Sequence, residues 1–492
     1  MNGNREISID ALRGLAIIGM ILSGTIAQLP EMPAWMYHAQ VGPVDFKFNP
    51  ETPGISWVDL VFPFFLFAMG LSFPFSMNRF LENGGKTASL VRKVSFRAFN
   101  LFLFAIMLPH LSPYGLPDSA GPWRYLFTLA GFVGFFLTFS RFPKWENHEL
   151  KLNTLGYLVL MTLLAIRWFA FGLPFSIHKN DIIILVLANM ALVGALIWFI
   201  TRHSWWPRLA VLTFYFGLRL TADLNYSINY EIFHFTPIKS IGNWIPQLKN
   251  MLEGMGVLTD RTIYFSMNFL KYLFIVIPGS IIGDLLYRQS QKKPKKDSSK
   301  VDNRFYLSFL AGILFLFTVV NLIGFFTRNS YIIYLGNIVL LITGEWFIHQ
   351  FGIHTSSFMR KSLNWSYFWL FLGLIFEPYE GGIKKDVATM SYFFVTSGLA
   401  GLLLLSLKIW FESYPFSRIM AFLPKVGQNP MLGYVAVTYL IVPILGLTGL
   451  LAYLNQWSLT GVLPGLMKGV ALTSLMIIVT YYSVKIKYFW KT

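Results

Sequence analysis

Two residues in this chain have the type and the setting to do chemistry together. His38 sits in Trp35-Met36-Tyr37-His38-Ala39-Gln40, between two segments apolar enough to cross a membrane, and Asp59 follows in Trp57-Val58-Asp59-Leu60-Val61-Phe62-Pro63. An imidazole at a membrane boundary is a candidate proton acceptor or acyl carrier, because its neutral and charged forms are both accessible near neutral pH. A carboxylate beside it can orient the ring and support its positive charge. Asp59 also has a plainer reading, as a negative charge capping the N-terminus of its own helix. Pro63, inside that helix, frees a backbone carbonyl at the same depth.

The elements that must position this pair are membrane helices. Of 492 residues, 55% are hydrophobic, 17% aromatic and 13% charged, far from the balance of a soluble globular chain. The absence of cysteine excludes disulfides, thiolate metal sites, iron–sulfur clusters and a cysteine nucleophile. Apolar runs place spans near 12–29, 57–78, 94–110, 123–140, 153–172, 181–200, 207–221, 265–287, 305–325, 331–348, 365–377, 388–410, 430–449 and 463–484. That makes an all-α polytopic integral membrane protein of 10–14 transmembrane helices, best counted as 14, with 207–221 and 365–377 the shortest. The first span is followed at once by others and has no small-residue cleavage site, so it is expected to remain as a helix.

Positive charge alternates from loop to loop. With the N-terminus inside, inner segments hold 27 of the 40 Lys and Arg and outer segments 10, while Arg167, Lys271 and Lys468 lie within spans. An even number of crossings with both ends cytoplasmic follows, and the net charge of +17 is topological rather than a sign of nucleic-acid binding. Arg167 and Lys271, near outer helix ends, are expected to reach the interface with their long side chains or to pair between helices. A charged, Pro-broken stretch over 288–304 reads as a cytoplasmic basic linker between an N-terminal membrane half, 1–287, which carries His38 and Asp59, and a C-terminal half, 305–492, the two forming one membrane domain. The outward connection over about 222–262 carries Tyr226, Tyr230, His234 and Trp244, which can stack on a sugar or anchor the loop at headgroup depth. The outer histidines His38, His110, His178 and His234 lack ligand spacing, so no metal is expected. No Gly-rich phosphate loop precedes a helix, which leaves nucleotide hydrolysis without support. Asn429-Pro430 reads as a helix start, with Asn capping and Pro in the first turn.

Ser8-Ile9-Asp10-Ala11-Leu12-Arg13-Gly14 before an apolar helix, then His38-Ala39, then Asp59-Leu60-Val61-Phe62-Pro63-Phe64-Phe65-Leu66-Phe67 with Met69-Gly70, resembles the membrane domain of heparan-alpha-glucosaminide N-acetyltransferase and its bacterial relatives. The likeness is strongest over 5–78 and nearest to a bacterial branch described as a domain of unknown function. It continues more weakly through Trp206-Pro207, Ile277 to Gly283, Lys384-Lys385, Ser391-Tyr392, Ser397-Gly398-Leu399 and Asn429-Pro430-Met431-Leu432-Gly433-Tyr434-Val435. Departures are Gly121-Pro122-Trp123-Arg124-Tyr125, where relatives open a helix with Arg-Ile-Pro-Gly and only Arg124 can be matched, and Ser23 where they carry asparagine.

The resemblance implies acetyl transfer across a bacterial inner membrane, with acetyl-CoA as cytoplasmic co-substrate and a glucosamine-type amino sugar as acceptor on the outer side. His38 is then the catalytic histidine and Asp59 its partner, with Asp10 and Arg13 an inner-end pair. The CoA phosphates need cationic partners, for which Arg13, Arg92, Lys93, Arg97 and Arg124 are the candidates, and Asn429 is a neutral polar candidate for binding the co-substrate. Partners are the bilayer, acetyl-CoA and an amino sugar or glycan, without nucleic acid, and a homodimer is admitted. Two other readings stand beside this one: O-acetylation of an envelope glycan, and a transporter of sugars or their derivatives that performs no chemistry.

Overall fold

The computed structural model describes residues 5–142, 145–221, 267–292, 304–351, 356–413 and 419–490, with 246, 247 and 250 besides. Most of the 222–262 connection, including Tyr226, Tyr230, His234 and Trp244, and residues 293–303 of the basic linker lie outside the described residues. In chain order the helices are α1 (Ile7–Thr25), α2 (Trp57–Glu82), α3 (Thr87–Leu111), α4 (Trp123–Phe139), α5 (Glu149–Phe171), α6 (Ile182–Ile200), α7 (Trp206–Leu220), α8 (Leu273–Ser290), α9 (Arg304–Thr327), α10 (Ser330–Gln350), α11 (Ser357–Tyr379), α12 (Met390–Ser413), α13 (Phe422–Gln428), α14 (Pro430–Leu447), α15 (Leu450–Ser458) and α16 (Val462–Lys485). No strand ladder occurs among the described residues; an isolated bridge joins Ser140 and Trp490.

Eleven of these helices are long and apolar enough to cross a membrane, and the chain is a polytopic, all-helical membrane protein. Helix α4, with 17 residues, and α7, with 15, fall short in length. Helix α11, with 23 residues, is long enough but not apolar enough along its length to stand with the eleven. The first helix also begins earlier and ends earlier than its apolar run, at 7–25 rather than 12–29. Past Thr25 the backbone at Ile26 is extended, and Ala27 N–H donates to Gly465 O, so the apolar tail leaves the helix to pack.

The packing gathers the helices into two units. One comprises Met1–Arg79, Phe274–Val437 and Ala452–Ile486; the other comprises Phe80–Leu273, Thr438–Leu451 and Lys487–Thr492. In the first, α12 is buried along its whole apolar length against α11, α9 and α1. Helices α1 and α13 meet backbone to backbone, because a Cβ on Gly14 would lie 1.9 Å from Leu423 O and one on Gly427 would lie 1.8 Å from Asp10 O. In the second unit α3 packs on α6 and α4 on α5, and Phe104 meets Phe135 and Phe139 edge-on at 5.1 and 5.3 Å. Arg167 does not reach for the interface: it is buried and donates to the carbonyls of Gly115, Leu173 and Pro174, closing the C-terminal turn of α5.

Proline shapes both units by one recurring device. A proline within a helix has no N–H for the carbonyl four residues earlier, and in an apolar surrounding that carbonyl must find another donor. Asp59 O, freed by Pro63, accepts from the Tyr392 hydroxyl at 2.7 Å; Phe274 O, freed by Pro278, accepts from Ser397 Oγ at 2.7 Å; Leu374 O, freed by Pro378, accepts from the Tyr334 hydroxyl at 3.1 Å. In the second unit Ala105 O, freed by Pro109, accepts from Asp181 N–H at 2.8 Å. Helix breaks thereby become helix–helix bonds, and one of them is at Asp59.

Candidate functional site

Helix α2 starts with a reciprocal cap. Ser56 Oγ accepts from Val58 N–H at 3.2 Å, and Asp59 Oδ2 reaches back to accept from Ser56 N–H at 2.9 Å. The other carboxylate oxygen, Oδ1, lies 2.6 Å from His38 Nδ1, and Ala39 N–H also donates to Oδ2 at 3.3 Å. Capping and orienting the imidazole are therefore not alternatives: the two oxygens of one buried carboxylate divide the tasks. Both backbone N–H groups at Oδ2 donate to it, as suits an ionised carboxylate. The Asp59 side chain is 2% exposed and that of His38 38%, so the ring is backed by a fixed charge and open on its other side.

The loop carrying His38 is tied down from both sides. The Tyr37 hydroxyl donates to Ala27 O at 2.5 Å, Tyr37 O accepts from Ser56 Oγ at 2.5 Å, and Tyr37 meets Phe46 edge-on at 5.1 Å. Burial pushes the Tyr37 phenol above its ordinary range. A second loop, between α11 and α12, comes in from far along the chain. Gln40 and Asp386 exchange hydrogen bonds, side-chain amide to backbone carbonyl and backbone N–H to Gln40 Oε1 at 2.9 Å, and Gly54 N–H donates to Ile383 O at 2.7 Å. Arg328 pairs with Glu377 at 2.6 Å, and Glu380 accepts from the first amides of α12, Met390 at 2.7 Å and Ser391 at 2.8 Å. This loop sets the Lys385 ammonium 3.1 Å from His38 Nδ1, 3.3 Å from Nε2 and 3.9 Å from Asp59 Oδ1. The site is a His–Asp–Lys cluster.

Asp10 and Arg13 lie elsewhere in the same unit. Asp10 pairs with Arg5 at 2.5 Å and with Arg13 at 3.2 Å, while the Arg13 guanidinium also donates to Ser72 Oγ at 2.6 Å, Gly427 O at 3.1 Å and Ala68 O at 3.5 Å. That clasp joins α1, α2 and α13. Asn429 stands at the start of α14 with Pro430 in the first turn, but its side chain makes no cap; it donates to Ser483 Oγ at 3.2 Å on α16. Helix α12 joins the two regions, with Tyr392 beside Asp59 and Lys408, paired with Glu6 at 3.0 Å and Glu412 at 2.6 Å, sixteen residues or about 24 Å further on.

The remaining co-substrate candidates belong to the second unit. Arg92, Lys93 and Arg97 are exposed on α3, with the Lys93 ammonium 5.0 Å above the Phe80 ring, and Arg124 pairs with Asp118 and lies over Tyr125 at 5.0 Å. His110 is buried, with Nδ1 2.9 Å from Ile106 O and Nε2 accepting from Ser176 N–H at 3.1 Å. Among the described residues, no three His, Cys, Asp or Glu side chains converge as a metal site would require.

A capped carboxylate fixing a half-open imidazole at the end of an apolar helix defines a polytopic membrane protein with a charged site at the rim of its helices. The family to which the chain belongs matches residues 5–252 and is described as Domain of unknown function (DUF5009). That stretch carries His38 and Asp59 and stops short of Lys385. No curated protein compared with the chain matches it.

The residues that sequence reasoning missed are those supplied from a distance: Lys385, Asp386 and Tyr392. Lys384-Lys385 and Tyr392 stood out only as points of likeness. Gln40 lies two residues from His38 and is buried, a polar residue whose partner had to exist.

Proposed function

We propose that this protein is a transmembrane acetyltransferase that passes an acetyl group from cytoplasmic acetyl-CoA to the amino group of a glucosamine-type sugar on the outer side of a bacterial inner membrane. The observation that carries the reading is the 2.6 Å approach of Asp59 Oδ1 to His38 Nδ1. With its proton held on Nδ1 by that carboxylate, the ring presents the Nε2 lone pair, the atom that can receive an acyl group or take the proton of an attacking amine. Nothing in this role asks Asp59 to gain a proton; it fixes the tautomer and balances the charge of an acyl-imidazolium.

The topology belongs to the same proposal: fourteen crossings with both ends in the cytoplasm, which puts His38, Asp59 and Lys385 at the outer rim and Asp10, Arg13 and Asn429 at the inner one. The separation of the two polar regions along α2 supports it, since thirteen residues, or about 20 Å, divide Asp59 from Ser72. Arg92, Lys93 and Arg97 are proposed phosphate partners of acetyl-CoA, as exposed cations on a segment taken to face inward.

The test is transfer of radiolabel from acetyl-CoA to glucosamine by the purified protein in vesicles, wild type against His38→Ala. Label on the sugar with wild type and none with the variant is expected. Unmodified glucosamine crossing the vesicle equally well with both proteins overturns the reading in favour of transport. Label on a glycan hydroxyl instead of an amine moves the acceptor and leaves His38 in its role.

A further inference from the structure

We propose that Lys385 is the electrophilic group of the transfer, holding the oxyanion that forms when His38 Nε2 attacks an acetyl thioester. The inference rests on the acetyl-transfer reading and adds to it a catalytic residue, 347 positions from His38 and outside the matched stretch.

The geometry is specific. The ammonium lies nearly equidistant from the two ring nitrogens, 3.1 Å from Nδ1 and 3.3 Å from Nε2. Those nitrogens flank Cε1, so a position in the ring plane at such distances would overlap that carbon; the ammonium therefore sits over a face of the ring. It blocks neither lone-pair direction, and Nδ1 is already engaged with Asp59. An acyl carbon joining Nε2 does so in the ring plane, and its tetrahedral substituents project above and below. The oxygen that takes up negative charge can then point to the face covered by Lys385, where a donor fixed in advance lowers the barrier most.

The step balances without a further reagent. The Nε2 lone pair forms the N–C bond, the carbonyl π electrons move to oxygen as Lys385 donates a hydrogen bond to it, and collapse expels the CoA thiolate with the C–S electron pair. An acceptor amine then attacks the acetyl-imidazolium, the C–Nε2 pair returns to nitrogen, and Nε2 takes the proton that the new amide nitrogen must lose and passes it to water, which restores the neutral ring and offsets the charge of the released thiolate. The Nδ1 proton stays shared with Asp59 throughout, and the Lys385 ammonium ends as it began.

Lys385 is held for this task rather than free to wander. The Gln40–Asp386 exchange and the Gly54–Ile383 bond fix the backbone on either side of it, and its side chain is 24% exposed. Its neighbour Lys384, itself 18% exposed, pairs instead with Glu51 at 3.2 Å. The two adjacent lysines thus differ in partner: Lys385 faces His38 and Asp59, and Lys384 faces Glu51.

The experiment uses the full chain in vesicles, acetyl-CoA as donor and glucosamine as acceptor. Lys385→Met is expected to lower kcat by about 10²–10³-fold while KM for acetyl-CoA changes less than about threefold. Lys385→Arg should recover part of the loss, and Lys384→Met should stay within about twofold of wild type. Where Lys385→Met does not yield folded protein by its melting transition, Lys385→Gln, which is one atom shorter and keeps a hydrogen-bond donor but not the charge, is read against the same thresholds. A kcat within about threefold of wild type for the uncharged variant, with His38→Ala inactive, overturns the role of Lys385 and leaves the acetyl-transfer reading intact. Full activity of His38→Ala, or no acetyl transfer by wild type, overturns both.

Discussion

The Tyr392 hydroxyl donates at 2.7 Å to the backbone carbonyl of Asp59, the carbonyl that Pro63 leaves without a helical partner. A helix defect, an apolar environment and a tyrosine on the most buried helix thus combine to fix the residue that holds the His38 ring. Tyr392→Phe keeps the packing and removes the donor, stranding a buried carbonyl at a cost of about 1–3 kcal/mol. The melting temperature should fall, and acetyl transfer should fall with it because α2 is then free to shift Asp59. A variant as stable and as active as wild type would show that the carbonyl finds another donor.

Asp59 has two duties that substitution can separate. Asn at this position still offers an oxygen to Ser56 N–H, so α2 keeps its cap, but it presents either an amide donor or a neutral acceptor to His38 Nδ1. Loss of the charge that fixes the tautomer is expected to lower kcat by about 10²–10⁴-fold with little change in stability. Asp59→Ala removes the cap as well and should cost about 1 kcal/mol more. If Asp59→Asn turns over at the wild-type rate, the carboxylate is a cap and nothing else.

Tyr37, one residue before His38, gives the loop a dependence on alkaline pH. Its hydroxyl donates to Ala27 O at 2.5 Å, and burial raises the phenol above its ordinary value. A raised value means the folded loop holds the proton more tightly than the unfolded chain. The stabilisation is complete below the ordinary tyrosine value of about 10 and disappears as pH climbs through the raised one. Melting temperatures of wild type and Tyr37→Phe are expected to differ at pH 8 and to converge above about pH 10. A gap that stays constant across that range counts against the proton on Tyr37 as the source of the difference.

How much of this was legible depended on distance along the chain. Each expected span contains a helix, because a long apolar run has few other ways to satisfy its backbone in a membrane. The 26–29 segment misled because its apolar character serves packing beside Gly465 rather than helix. His38 and Asp59 lie on neighbouring elements, and the loop between them is short enough for residue types to suggest the pair. Pro63 announced a free carbonyl, but its donor, Tyr392, lies 333 positions away and no local pattern could name it. Lys385 was hidden for the same reason, and its meaning comes only from the loop that Gln40 and Asp386 lock in place. Asn429 misled in the opposite sense: it occupies a capping position while its side chain serves a contact with α16.

Asn321 on α9 and Asn337 on α10 test whether these helices are held in the membrane by polar contacts. Their side-chain amides exchange hydrogen bonds at 2.8 and 3.0 Å, and neither is exposed. Each also donates to its own helix four residues back, to Phe317 O and Ile333 O, so the pair is saturated on both sides. Helix association in lipid has no hydrophobic driving force, and such a bond is worth roughly 0.6 kcal/mol in membrane double-mutant cycles, with about 1.7 as an upper bound. Asn321→Leu or Asn337→Leu alone leaves one amide facing hydrocarbon and should destabilise by about 1–2 kcal/mol. The double variant removes both polar groups together and should cost less than the sum of the singles. Unfolding in detergent gives all three values; strict additivity would mean that the two amides do not act as a pair.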